Sequence, residues 1–135
     1  MDEELVELAK SKLSNSYAPY SGFRVAALAI TPDGKIYHGN NVENASYGLS
    51  MCAERVAIFK AVSEGERIID TVVVVSDGGM PYPCGACLQV MAEFGVRRVI
   101  VAGPGGRGAH EIKGVFSLPP TPTKPHTPPP PPPPQ

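Results

Sequence analysis

Cys52-Ala53-Glu54-Arg55 and, further along, Pro83-Cys84-Gly85-Ala86-Cys87 contain all three cysteines of this 135-residue chain. Three thiolates converging on one Zn²⁺ fill three of its four tetrahedral positions, and an open fourth position separates a catalytic zinc from a structural one. A water in that position becomes acidic enough to supply hydroxide near neutral pH. Glu54, two residues after the first cysteine, is then the proton carrier. A lone C-x-x-C suits a redox site or half of a structural zinc site about equally; the added Cys-x-Glu and the proline before Cys84 set this pair of stretches apart.

Working outward, a helix is predicted from Ser50 or Met51 to about Glu64, with Cys52, Val56, Phe59 and Val62 near one face. That places Cys52 in a first turn, where the helix dipole favours a thiolate. Glu54 lies about 200° around an ideal helix from Cys52, so it flanks the metal without binding it. Ile68 to Val75 is a β-branched run that reads as a strand buried on both faces. The loop Ser76-Asp77-Gly78-Gly79-Met80-Pro81-Tyr82-Pro83 leads to Cys84 and Cys87, close enough in one helical turn to grip a single ion. That helix continues through Leu88, Val90 and Met91 to a stop at Gly95, and Val96 to Ala102 is again strand-like.

Upstream, Leu5, Leu8, Ala9 and Leu13 recur at helical spacing after Asp2, giving a helix over residues 3 to about 14. Phe23 to Ile30 and Lys35 to Gly39 flank the turn Pro32-Asp33-Gly34 and read as a hairpin. The succession strand, helix, strand, helix, strand implies right-handed crossovers and a mostly parallel central portion, with the hairpin adding antiparallel strands. The predicted fold class is therefore α/β: a three-layer α/β/α domain with a mixed central sheet. Both cysteine-bearing helices begin beyond strand ends, where open α/β sheets place their ligands.

The formal net charge of −1 gives no general attraction to a polyphosphate, so a nucleic acid polymer is not the expected partner. A small neutral substrate fits better. The opening Met1-Asp2-Glu3-Glu4 lacks the layout of a secretory signal, and no apolar run is long enough to span a bilayer. A cytoplasmic setting is expected, where thiols stay reduced and free to bind metal. The odd cysteine count argues against a disulfide framework. After Phe116 the composition turns to proline, so residues 1–117 are expected to form one catalytic domain and 118–135 a disordered or polyproline II tail.

Four motifs in register resemble the small, homotetrameric, zinc-dependent cytidine deaminases: Phe23-x-Val, Asn41-Val42-Glu43-Asn44-Ala45-Ser46-Tyr47-Gly48, Cys52-Ala53-Glu54-Arg55 and Pro83-Cys84-Gly85-Ala86-Cys87-x-Gln89. The second pair also matches the C/H-x-E … P-C-x-x-C signature in which the glutamate is an acid/base and not a ligand. The resemblance covers roughly residues 5 to 102. It implies that Cys52, Cys84 and Cys87 bind Zn²⁺ and that Glu54 shuttles the proton. It further implies that Asn41 and Glu43 hold the ribose hydroxyls and that Phe23 packs against the nucleoside. Ala45 and Tyr47 would serve a neighbouring protomer's pocket, since the family is homotetrameric and borrows residues across subunit contacts. Arg55 resembles the arginine that hydrogen-bonds the ligand sulfurs. Physics supports that role: three thiolates outweigh the charge of the ion, and two helix N-termini with a guanidinium draw the excess away. The alternative for Arg55 is a surface ion pair, worth little.

Two departures stand out. Ala26 occupies the place of a glycine usual in the family, which bears on how closely that strand approaches its neighbour. Val115-Phe116-Ser117-Leu118-Pro119 is a shortened version of a segment that carries a pocket-closing phenylalanine.

The expected function is hydrolytic deamination of cytidine and deoxycytidine to uridine and deoxyuridine plus ammonia, a cytidine deaminase activity of pyrimidine salvage on a cyclic amidine C–N bond. One rival is a deaminase of another aminated pyrimidine, a free base or a nucleoside antibiotic of the blasticidin type; Asn41 with Glu43 favours a ribosyl substrate. Another is a non-catalytic protein with a structural zinc. Its fourth ligand would come from His38, His110 or His126, none of which has convincing spacing.

Overall fold

The computed structural model describes residues 2–112. The expected tail 118–135, the domain limit at 117, His126 and a closing role for Phe116 lie outside the described residues. The sheet has five strands, β1 (Val25–Ile30), β2 (Ile36–Asn40), β3 (Thr71–Ser76), β4 (Arg98–Ala102) and β5 (His110–Glu111), in the order β2-β1-β3-β4-β5. The helices are α1 (Asp2–Ser11), α2 (Ala53–Ser63) and α3 (Gly85–Glu93).

Side chains alternate across each strand, and the two faces bury different partners. Ala26, Leu28, Val73, Val75, Ile100 and Ala102 pack with Val6, Ala9 and Leu13 beneath α1. On the opposite face Val25, Ala27, Ala29, Val72, Val74, Val99 and Val101 pack with Ala53, Ala57, Ile58 and Ala61 of α2 and with Cys87 and Met91 of α3. The three-layer α/β/α arrangement and the mixed sheet agree with the sequence expectation. Ala26 is fully buried on the α1 side, with Asn40 and Val75 as its register partners, so its methyl group is accommodated inside the sheet.

The expectation of a mostly parallel centre needs correction. Only β3 and β4 pair in parallel; β1 is antiparallel to both β2 and β3, and β4 to β5. The physical reason is insertion: the connection from β2 through α2 passes over β1, so the hairpin's first strand lies between two parallel strands. The short β5, held by register pairs Ile100–Glu111 and Val101–His110, was not foreseen because its composition carries no strand signal. The first helix also ends sooner than expected, at Ser11, before a 3₁₀ turn at Leu13–Asn15. Its buried face is Val6 and Ala9, while Leu8 is exposed.

The face of α2 differs more instructively. Phe59 is 43 % exposed, and the fully buried positions are Ala53, Ala57, Ile58 and Ala61. Small residues are required there because β2 approaches the helix backbone to backbone. A Cβ on Gly39 would lie 2.4 Å from Ala57 N and 2.7 Å from Ala53 O. No helix among the described residues is long and apolar enough to cross a membrane.

Candidate metal centre

Both cysteine helices begin later than the sequence suggested, α2 at Ala53 instead of Ser50 or Met51 and α3 at Gly85, one residue after Cys84. Cys52 is the N-cap of α2 and Cys84 the N-cap of α3, both in extended backbone; Cys87 sits in the first turn of α3. Two helix N-termini thus direct their positive ends at one spot. The three Sγ atoms lie within 4.8 Å of one another, and the Cys84 and Cys87 sulfurs are 3.5 Å apart. A tetrahedral ion with Zn–S bonds of about 2.3 Å holds its sulfurs about 3.8 Å apart, so the donor set fits zinc in chemistry and spacing. Among the described residues no histidine, aspartate or glutamate joins this group of candidate ligands. His110 faces elsewhere, its Nδ1 at 2.8 Å from Gly108 O and its Nε2 at 3.4 Å from the Tyr82 hydroxyl.

Charge at the site is balanced by neighbours. The Cys87 thiol and the Arg55 guanidinium hydrogen-bond Cys52 and bring its pKa down to about 5. The Arg55 Nη2 donates to Cys52 Sγ at 3.4 Å, and its buried Nε finds no acceptor among the described residues. Cys87 moves the opposite way: its bond to Cys52, burial and the negative charge of Glu54 hold its proton on. Glu54, 5 % exposed, has its carboxyl raised to about 7, first by burial and then by the Cys52 thiolate. A carboxyl poised near neutrality can both take and give a proton at working pH, which is the requirement for an acid/base group.

Of the remaining sequence-predicted residues, Asn41 and Glu43 form a second assembly around Phe23. Asn41 Oδ1 accepts from Val25 N at 2.9 Å, and its Nδ2 donates to Phe23 O at 2.8 Å. Glu43 accepts from the backbone N–H groups of Tyr20 and Ser21, both at 3.1 Å, and from the Ser21 hydroxyl. Ser21 Oγ in turn accepts from Phe23 N at 3.0 Å. Asn41 and Glu43 are therefore occupied in part by their own backbone, the ordinary role of such side chains in a loop. Between them they clamp the main chain on either side of Phe23. The sequence reading did not single out Ser21; a lone serine in a turn-rich connector offers no signal for this relay.

Glu43 also lines a cavity of about 460 Å³ with Tyr20, Ser21, Asn44, Tyr47 and Ser50. The volume is in the range of small-molecule sites. Neither the cysteines nor Glu54 contribute to that lining. Ala45 is exposed, and Tyr47 is 81 % exposed.

A mixed α/β sheet carrying a three-cysteine metal site beside a buried carboxyl defines a class of zinc-dependent hydrolytic enzymes. Comparison with known proteins narrows it. Residues 1–103 match the family described as the cytidine and deoxycytidylate deaminase zinc-binding region, and the chain belongs to that family. It is 50 % identical to a cytidine deaminase of Sporosarcina psychrophila over 93 residues, covering 68 % of each chain. It is likewise 50 % identical to a cytidine deaminase of Halalkalibacterium halodurans over 96 residues, covering 70 % of this chain and 73 % of the relative. The crystal structure of a cytidine deaminase from Burkholderia pseudomallei matches with a TM-score of 0.77 at 43 % identity, covering 83 % of this chain and 91 % of the other.

Proposed function

We propose that this protein catalyses the zinc-dependent hydrolytic deamination of cytidine and deoxycytidine to uridine and deoxyuridine, with release of ammonia, in pyrimidine salvage. The observation that carries the reading is the three-sulfur donor set with a buried carboxyl, poised near pH 7, two residues beyond its first member. Held by Cys52, Cys84 and Cys87, Zn²⁺ supplies the Lewis acidity that brings the ionisation of water into the neutral range.

Glu54 moves the protons. Its carboxylate takes one from the attacking water and delivers it to N3 of the base, which makes C4 electrophilic. Once oxygen has added at C4, Glu54 carries the remaining hydroxyl proton to the exocyclic nitrogen, which departs as ammonia. Burial of Glu54 excludes bulk water from these transfers. Arg55 and the N-termini of α2 and α3 offset the surplus negative charge of the sulfurs, so that the site does not oppose ionisation of the water.

Phe23 packs against the nucleoside. Asn41 and Glu43 use the hydrogen-bonding capacity left over from the Phe23 clamp to hold the sugar hydroxyls. Ala45 and the exposed Tyr47 face a neighbouring subunit in a homotetramer, whose pocket they help to close. The catalytic domain spans residues 1–117, with 118–135 as an appended segment, and the protein works in the cytoplasm on a nucleoside and not on a nucleic acid polymer.

The test is zinc stoichiometry together with ammonia release from cytidine, deoxycytidine, cytosine and a blasticidin-type nucleoside. About one zinc per chain with turnover of the first two is expected. Zinc without turnover of any pyrimidine nucleoside would refute the reading. Preference for cytosine would reassign Asn41 and Glu43 to purely structural work.

A further inference from the structure

The turn after β3 carries no metal ligand and none of the sequence-predicted substrate residues, yet it is fastened to Arg24, the residue after Phe23. Asp77 accepts from Arg24 N at 3.0 Å and from Arg24 Nε at 2.6 Å, and its own N–H donates to Arg24 O at 3.2 Å. One residue on, Gly78 lies directly against the Phe23 ring. A Cβ at Gly78 would stand 2.1 Å from Phe23 Cδ2 and 2.3 Å from Cε2, and no atom outside Phe23 is among its three nearest. Gly78 is not in the left-handed backbone region, unlike Gly22, Gly34 or Gly95. Its lack of a side chain is therefore demanded by the ring and not by the backbone. The Ser76 hydroxyl, bonded to Gly79 O, closes the turn from the other side.

We propose that Gly78 is a positioning residue: its bare Cα is the seat of the Phe23 ring, and it sets the affinity for nucleoside through the orientation of that ring. The inference rests on the reading of Phe23 as the aromatic that packs against the substrate. The main chain of Phe23 is already pinned at its N–H by Ser21 and at its C=O by Asn41. Side-chain rotation is the freedom that remains, and Gly78 removes it. With alanine at this position the ring must turn away, because the overlapping atoms are those of a rotatable side chain and the turn itself is held by Asp77. The fold is thus expected to survive while the stacking surface is lost. A contact between an aromatic side chain and a base is worth about tenfold in affinity. The same turn precedes Pro83 and Cys84, so it links the nucleoside-facing aromatic to the second pair of metal ligands along one short stretch of chain.

Two measurements test this. In the NMR spectrum of the zinc-loaded wild type, the Gly78 Hα that faces the Cδ2–Cε2 edge of the Phe23 ring should be shifted downfield by the ring current and should return to an ordinary position in Phe23→Leu. Ordinary Gly78 shifts in the wild type would overturn the seat regardless of any activity. In steady-state kinetics on cytidine, Gly78→Ala should raise KM by about tenfold with kcat within about threefold and zinc content unchanged. The same substitution in a Phe23→Ala background should change KM by less than about twofold. An equal loss in both backgrounds would overturn the proposal, because Gly78 would then act through something other than the ring. A wild type that shows the ring-current shift yet turns over no nucleoside would support the seat and refute the assignment of function instead.

Discussion

Gly39→Ala is expected to damage the enzyme from a position that touches no substrate. The added methyl carbon would meet Ala57 N at 2.4 Å, Ala53 O at 2.7 Å and Ala57 Cα at 2.9 Å, where ordinary contact begins at 3.4 Å. All three atoms belong to the backbone of α2, so no side chain can swing aside, and strand and helix must separate by about 1 Å. Overpacking of this kind costs about 1–3 kcal/mol, or roughly 5–15 °C in Tm for a domain of this size. The displaced helix carries Cys52 at its N-cap and Glu54 in its first turn. A misplacement of about 1 Å at reacting groups can cost about a hundredfold in rate. Thermal melts, zinc content and kcat/KM for cytidine should be measured beside Gly48→Ala, whose Cβ would meet nothing within 4 Å and which should melt like the wild type. A Gly39→Ala protein with unchanged Tm and kcat/KM would show that β2 does not set the position of α2, and the argument would fail.

Glu54→Gln should keep its zinc and lose kcat by about a thousandfold or more, the scale of removing an acid/base group; substantial residual turnover would release Glu54 from its role. Cys84→Ala should lose metal and activity together, as metal analysis of the purified variant would report; full zinc occupancy would remove it from the donor set. The pH dependence of stability offers a third check, on the metal-free protein. Glu54 rises from an ordinary 4.5 to about 7 on folding, so between those values the folded state holds the proton that the unfolded state has released. Stability from this group is present below about pH 4.5 and is lost as pH rises to about 7, by about 3 kcal/mol in all. Glu54→Gln should therefore be more stable than the wild type at pH 8, and the advantage should fade towards pH 4.5. Urea melts showing the same difference at both ends would refute the burial argument.

The chemistry at the centre was legible because its parts are local. Cys-x-Glu and Pro-Cys-x-x-Cys place donors at helix starts by spacing alone, and the β-branched run ending at Val75 can hardly be anything but a buried strand. Where the reading went wrong, it relied on local apolarity to pick a helix face. The apolar pattern puts Phe59 near the buried face, whereas the fold buries Ala57 and Ala61 and leaves Phe59 43 % exposed. Here closeness of approach marks the buried face, and a glycine on another strand imposes that closeness.

The two cysteine stretches, read in order with the strands between them, were enough to point to an α/β protein of a zinc-binding family, with Cys52, Cys84 and Cys87 as candidate ligands and Glu54 as the candidate proton carrier. Hydrogen-bonding partners are a different matter, since they depend on which loops the fold brings side by side. Asn41 bonded to the backbone of β1, Glu43 bonded through Ser21, and the Phe23 ring resting on Gly78 all join segments far apart in the chain. No spacing rule encodes such contacts, because they exist only once the sheet has closed and its loops have met at one end.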